Sequence, residues 1–248
     1  MSCRPVALTL VLALASGSSA CTEPPTKPPP QAGPVEPRAP EPIPPPSTKF
    51  DVGAPPLATR APPQGMASIS VLDPSIRLDI RYATTANFTG MPLPGYVPGE
   101  AWLTTEAAEA LVRVQQALAA DDLGLLVFDA YRPRRATEAM VTWAENAGRR
   151  ELLDGGYVAR DSNHNRGNTV DLTLVSLQTG RELDMGSAWD TFSKASHYAA
   201  AKGEAMANRK RLRKAMSAQG FEPYELEWWH FTLPSDPSPP VRDEAYGP

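Results

Sequence analysis

Two short segments hold the residues of this chain whose types and spacing can do chemistry. The first is Ser162-Asn163-His164-Asn165-Arg166-Gly167-Asn168-Thr169-Val170-Asp171. The second, some sixty residues later, is Glu227-Trp228-Trp229-His230. The chain has only three histidines, and two of them lie here, each close to a carboxylate. Neutral imidazole and carboxylate are both good zinc ligands. His164, Asp171 and His230 therefore compose a three-ligand set for a catalytic zinc, which keeps a fourth position open for water. Glu227 is left over as a general base. A charged Glu beside bulky tryptophans is costly unless it is used or paired, and burial raises its pKa toward the range a base needs. Each piece also has a plainer reading. An Asp opening a strand often caps a turn, and adjacent tryptophans in a strand serve as core and edge residues.

These groups need elements to position them. Gly167 lies between His164 and Asp171, so a loop turning there and running into a strand brings both side chains to one ion. Val170–Val175 reads as that strand, and Trp228–Leu233, closed by Pro234, as another. Leu123–Phe128 reads as a buried strand. Ser68–Leu72 and Ile76–Tyr82 alternate as strands do. Thr104 caps a helix running to about Ala120, with Ala108, Leu111, Val114 and Leu118 at helical spacing. A second helix begins after Pro133 and runs from Arg134 to about Ala147. A third spans Ala205–Ala218, stopped by Gly220. The irregular order of strands and helices predicts an α+β class, a single domain with a mainly antiparallel sheet flanked by helices.

The 248 residues carry a formal net charge of −4 and a pI near 5.5, so no nucleic-acid footprint is present. The two cysteines, Cys3 and Cys21, lie near the N-terminus, which excludes thiolate zinc sites in the globular part. Residues 1–20 read as a signal peptide: Arg4, an apolar run from Val6 to Ala15, then small residues up to Ala20. That run is too short to span a bilayer. The small-residue stretch ending on Cys21 is similar to the lipobox of bacterial lipoproteins, with Ser18 in place of the usual aliphatic residue. Ordinary signal-peptidase cleavage beside an incidental cysteine is the other reading. Residues 22–63 hold 16 of the 28 prolines. Such a stretch favours extended polyproline conformations, and 21–66 is expected to be a disordered spacer between Cys21 and a domain. The expected location is outside the cytoplasm, periplasmic or in the cell envelope, on a membrane anchor. A domain over 67–236 and a tail over 237–248 complete the expected organisation.

The pattern Ser162-x-His164-x-x-Gly167-x-x-x-Asp171, followed by Glu227-Trp228-Trp229-His230-Phe231, resembles the metal motifs of the zinc D-Ala-D-Ala peptidases. That family comprises VanX-type dipeptidases and D,D-carboxypeptidases. Asp129-Ala130-Tyr131-Arg132-Pro133 reads by itself as a polar strand-to-helix loop. It precedes the metal segments in the order found in the dipeptidases, which implies that Arg132 stabilises the developing oxyanion. Arg81-Tyr82-Ala83-Thr84-Thr85-Ala86-Asn87-Phe88-Thr89-Gly90 and Leu183-Asp184-Met185-Gly186-Ser187-Ala188-Trp189-Asp190 are similar to further dipeptidase signatures. Arg209-Lys210-Arg211-Leu212-Arg213 ahead of Gly220-Phe221-Glu222 is another. The resemblance covers about residues 68–235. It implies that Tyr82, Ser162 and Asp190 line the substrate site, with a carboxylate for the substrate's ammonium. Asn165, Asn168 and Thr169 replace smaller family residues at non-ligand positions.

The resulting expectation is a metallopeptidase with one zinc per domain. It hydrolyses the small dipeptide D-Ala-D-Ala to D-alanine, Glu227 assisting the attack of a zinc-bound water. The rivals are a D,D-carboxypeptidase trimming peptidoglycan stem peptides and a non-catalytic cell-wall-binding module. The third histidine, His197, reads as a surface residue or cap. The basic run Arg209–Lys214 reads as a solvated helix face. Met140 and Trp143 read as core.

Overall fold

The computed structural model describes residues 59–248. The signal segment, Cys21 and most of the Pro-rich stretch lie outside the described residues. In chain order the elements are β1 (Met66–Ser68), α1 (Ile69–Leu72), β2 (Arg77–Leu78), β3 (Trp102–Thr104) and α2 (Thr105–Ala119). Then come β4 (Leu123–Asp129), α3 (Arg134–Asn146), α4 (Glu151–Asp154) and β5 (Thr169–Ser176). α5 (Gly203–Ser217), β6 (Glu222–Tyr224) and β7 (Glu227–Thr232) follow.

The main sheet has the order β2-β4-β5-β7-β6, and β1 pairs with β3 in a separate ribbon. Only β2–β4 is parallel within the main sheet, so the mainly antiparallel α+β expectation holds. β4 and β5 are buried almost throughout because helices and loops cover both faces. α2 packs on β4 and on α5, and its stripe of Ala108, Leu111, Val114 and Leu118 enters the core. Thr104 caps α2 as expected, its Oγ1 accepting from the Ala107 amide at 3.3 Å.

Three expectations change. Ser68–Leu72 is not a strand: β1 ends at Ser68, and the chain makes one helical turn in which Asp73 N–H bonds the Ile69 carbonyl at 3.0 Å. Of that turn's residues only Ile69 is buried; Val71 and Leu72 face outward, so the alternation had no second strand to serve. Ile76–Tyr82 pairs only over Arg77–Leu78 before a 3-10 turn, Arg81–Ala83, buries Arg81 and Tyr82. Residues 237–248 do not trail away. Arg242 N–H bonds Asn165 O at 2.9 Å, and Tyr246 is buried against Trp102 and Tyr131, donating to Tyr131 O at 2.6 Å. Arg60 N–H in turn bonds Tyr246 O at 2.8 Å, so the domain extends past both expected boundaries.

Candidate metal centre and active site

Strand register builds the centre. Asp129 on β4 lies opposite Asp171 on β5, and Asp171 lies opposite His230 on β7. Directly opposed residues of antiparallel strands share a face, so three polar side chains stand in one row across the sheet. A bulge in β4 after Val127 makes this row. Without its extra residue, Phe128 and not Asp129 would face Asp171. A second irregularity, where Pro223 pairs with Phe231 but Tyr224 with Glu227, re-aims Glu227 into the site from the start of β7.

His164 arrives from the loop. Asn163–Arg166 form a 3-10 turn whose first turn is capped by Ser162 Oγ, accepting from His164 N–H at 3.3 Å. Gly167 ends the turn in the left-handed region at φ 75°, where a Cβ would also lie 2.6 Å from Met66 Cε. The chain then enters β5, as the sequence predicted.

His164 Nε2, His230 Nδ1 and Asp171 Oδ1 converge. The two nitrogens are 3.3 Å apart, and they lie 3.3 and 3.1 Å from the oxygen. Among the described residues this is the group whose ligand atoms all fall within 4.8 Å of one another. His164 Nδ1 donates to Ala130 O at 2.7 Å, which leaves the Nε2 lone pair facing inward. Asp171 Oδ1 is buried with no hydrogen-bond partner, while Oδ2 accepts from Trp189 Nε1 at 3.4 Å. A buried, unpartnered carboxylate oxygen between two imidazole nitrogens fits a cation, and the N,N,O donor set suits zinc.

The three residues line a cavity of about 250 Å³. Tyr82, Arg132, Ser162, Asp190 and Glu227, all singled out in the sequence, line the same cavity as the three candidate ligands. Glu227 Oε2 is 3.6 Å from His230 Nδ1. Burial, with Asp171 and Asp190 nearby, pushes the Glu227 carboxyl well above the usual range. Asp190 is also pushed up, by burial and by Asp171, against the pull of a Tyr82 hydroxyl that donates to it at 2.9 Å. Burial would raise Asp171 as well, but His164 and His230 hold it well below the usual carboxylate range. Burial lowers the His230 imidazole.

Arg132 is clamped. Its Nε and Nη2 donate to Asp129 Oδ2 at 3.0 and 2.8 Å, and its guanidinium lies 5.2 Å from the Tyr82 ring centre. Burial works against its charge, but Asp129, Tyr82, Tyr96 and Asp171 together more than offset that and hold the guanidinium charged. Asp129 is fully buried and also accepts from Tyr96 Oη at 2.6 Å. The role of Asp129 is not legible in its motif; two polar residues three apart around a strand end are the only signal of it. Trp189 as the partner of Asp171, and Arg81, whose guanidinium sits 4.5 Å from the Phe128 ring centre, carry no such local signal.

One other reading is revised: Arg209 is buried, not part of a solvated face, because its guanidinium binds backbone carbonyls. His197 is a cap, as expected: it ends the 3-10 turn Lys194–Ser196 and opens Tyr198–Ala200, and its half-buried ring has Nε2 2.9 Å from Tyr157 Oη. Met140 is core, as expected, and also reaches the cavity.

The D-ala-D-ala dipeptidase family model (Peptidase_M15) matches residues 63–246. The chain belongs to this family. It is 42% identical over 180 residues to the D-alanyl-D-alanine dipeptidase of Enterococcus faecium, covering 66% of this chain and 89% of that one. With the Streptomyces coelicolor enzyme of the same name it shares 42% over 191 residues, 70% and 93% of the two chains. The Escherichia coli enzyme is 33% identical over 183 residues, 73% and 91% of the two chains. Among solved structures, "VanYB in complex with D-Alanine-D-Alanine" aligns with a TM-score of 0.36 and 12% identity, over 57% of this chain and 77% of that one. A Zn(II) complex of the D,D-pentapeptidase VanY gives 0.35 and 13%, over 55% and 75%. The family match ends at the buried Tyr246, in accord with a domain that includes residues 237–246.

Proposed function

We propose that this protein is a zinc dipeptidase that hydrolyses free D-Ala-D-Ala to D-alanine. One observation carries the reading. Asp190, a buried carboxylate whose side chain accepts from Tyr82, lines the same small cavity as the metal cluster and Glu227. A buried carboxylate needs a cation to offset its burial. The free ammonium of a dipeptide lies close to its scissile bond and supplies one. A longer stem peptide has a neutral amide there, which leaves Asp190 unpaired. The dipeptidase names of the relatives support the same choice over a carboxypeptidase. Glu227 and all three candidate ligands are present, which argues against a non-catalytic module.

His164, Asp171 and His230 would hold one zinc. Bound there, zinc supplies a Lewis acid that polarises the scissile carbonyl and acidifies water. Glu227, its pKa raised by burial, takes the proton of the attacking water and returns it to the leaving amine. Arg132, held by Asp129, presents a fixed positive group to the oxyanion as charge develops there. Ser162 Oγ accepts from His164 N–H, so its own proton is available to the substrate's carboxylate. Asp190 and Tyr82 orient the ammonium end.

The test is product analysis of the zinc-loaded protein on D-Ala-D-Ala beside a stem pentapeptide. We propose further that the enzyme works outside the cytoplasm, tethered through Cys21. No helix among the described residues is long and apolar enough to cross a membrane, so the tether would have to come from the N-terminal segment. Recovery of the full chain in the membrane fraction, with Cys21 as the mature N-terminus, checks this. A soluble protein starting elsewhere contradicts it.

A further inference from the structure

Asp190 sits in a stretch with little regular structure. Between β5 and α5 the chain forms an isolated bridge from Glu182 to Val175 and two short 3-10 turns, Lys194–Ser196 and Tyr198–Ala200. Asp190 itself is in the left-handed region at φ 57°, a costly conformation for a residue with a side chain. Such a conformation persists only where the surroundings hold it.

Arg209 on α5 does the holding. The residue is 1% exposed, and its hydrogen-bond partners are four backbone carbonyls and the Ser187 hydroxyl, with the Trp228 ring centre 5.6 Å away. Nε donates to Met185 O at 2.7 Å, and Nη1 to His197 O at 2.6 Å and Tyr198 O at 3.2 Å. Nη2 donates to Ala195 O at 2.9 Å and, at longer range, to Ser187 Oγ at 3.5 Å. Met185 and Ala195 lie equally far before and after Asp190 in the sequence. One guanidinium thus ties together the two ends of the segment that presents Asp190. Buried carbonyls need donors, and only arginine offers five in a rigid fork. The loop also meets α5 closely. Gly186 is at φ +80°, and a Cβ there would lie 3.2 Å from Ala205 Cβ.

We infer that Arg209 is a positioning residue. By closing the 185–198 loop it sets the place of Asp190, and so the preference for a substrate with a free ammonium. The inference rests on the assignment of Asp190 to the ammonium. The segment Arg209–Arg213 carries a dipeptidase-like pattern, but no role for Arg209 is legible in it, because its neighbours Lys210 and Arg211 are exposed and the run reads as a solvated helix face.

The experiment compares D-Ala-D-Ala with its N-acetyl form on the full-length, zinc-loaded protein. The variants are Arg209→Met, Arg209→Lys, Asp190→Asn and the Arg209→Met/Asp190→Asn double. Arg209→Met is expected to keep its zinc and lose roughly tenfold or more in kcat/KM on the free dipeptide, mainly through KM. The N-acetyl form should change far less, so the preference collapses as it does in Asp190→Asn. Arg209→Lys should recover part of the loss, and the double variant should be no worse than Asp190→Asn to within about threefold. Equal losses on both substrates, or losses that multiply in the double variant, would overturn the inference. If Arg209→Met does not fold, Gly186→Ala takes its place, since it displaces the loop from α5 with Arg209 intact. An unchanged preference in that variant also overturns it. A wild-type enzyme indifferent to N-acetylation would remove the ammonium reading, and this inference with it. A preference lost in Asp190→Asn but kept in Arg209→Met removes this inference alone.

Discussion

Asp129 and Asp171 face each other across β4 and β5, yet their side chains hold different groups. Asp171 turns an unpartnered oxygen toward His164 and His230, while Asp129 clamps Arg132 through two hydrogen bonds. His164 joins the two, with Nε2 3.3 Å from Asp171 Oδ1 and Nδ1 3.4 Å from Asp129 Oδ2. One β-bulge therefore sets the candidate metal ligands and the proposed oxyanion group in register with each other.

Arg132→Ala should keep its metal and lower kcat by about a hundred- to a thousandfold, the usual loss for a single oxyanion donor. Arg132→Lys should recover little, because lysine cannot make the forked contact with Asp129. Asp129→Asn should resemble a milder Arg132 variant, with kcat falling more than KM rises. Steady-state kinetics with metal analysis of each variant checks this. Near-normal kcat in Arg132→Ala would place oxyanion stabilisation elsewhere.

His164→Ala and His230→Ala should each bind much less zinc, because the remaining pair of ligands leaves the site incomplete. Chelation of the wild type should abolish turnover, and added zinc should restore it. Full zinc retention in both variants would show that the ion binds somewhere else.

Glu227→Gln should retain zinc and lose roughly a hundred- to ten-thousandfold in kcat. It should also melt higher than the wild type when both are metal-free at pH 8. The folded-state pKa of Glu227 is raised, so the folded protein holds that proton more tightly than the unfolded chain does. Stability from this group is therefore present at low pH and lost as pH rises from the unfolded value, about 4.3, through the folded one. The advantage of Gln should shrink toward pH 4. A melting difference independent of pH would contradict a buried, reluctant carboxylate at this position.

Much of this site was legible in the sequence because its chemistry clusters in short segments. His164, Gly167 and Asp171 sit on one turn and the strand it feeds, and Glu227 and His230 open another strand. The helices were legible where capping and periodicity agreed, as at Thr104 and along α2. What stayed hidden depends on partners far away in sequence. Arg209 looks like any surface arginine until the 185–198 loop folds over it. Tyr246 looks like a tail residue until Trp102 and Tyr131 surround it. Ser68–Leu72 alternates well enough for a strand, but no second strand is placed to accept it beyond Ser68. The bulge that turns Asp129 toward Asp171 leaves no mark in the local pattern, since it is a property of two paired strands.

The central claim is that the site pairs Asp190 with the ammonium of a free dipeptide. The most direct measurement is D-alanine release by the zinc-loaded protein from D-Ala-D-Ala and from a stem pentapeptide, with wild type and Asp190→Asn side by side. The account predicts rapid release from the dipeptide, little from the pentapeptide, and a large loss on the dipeptide alone in Asp190→Asn. Efficient trimming of the pentapeptide by the wild type, unaffected by Asp190→Asn, would contradict it and favour a D,D-carboxypeptidase.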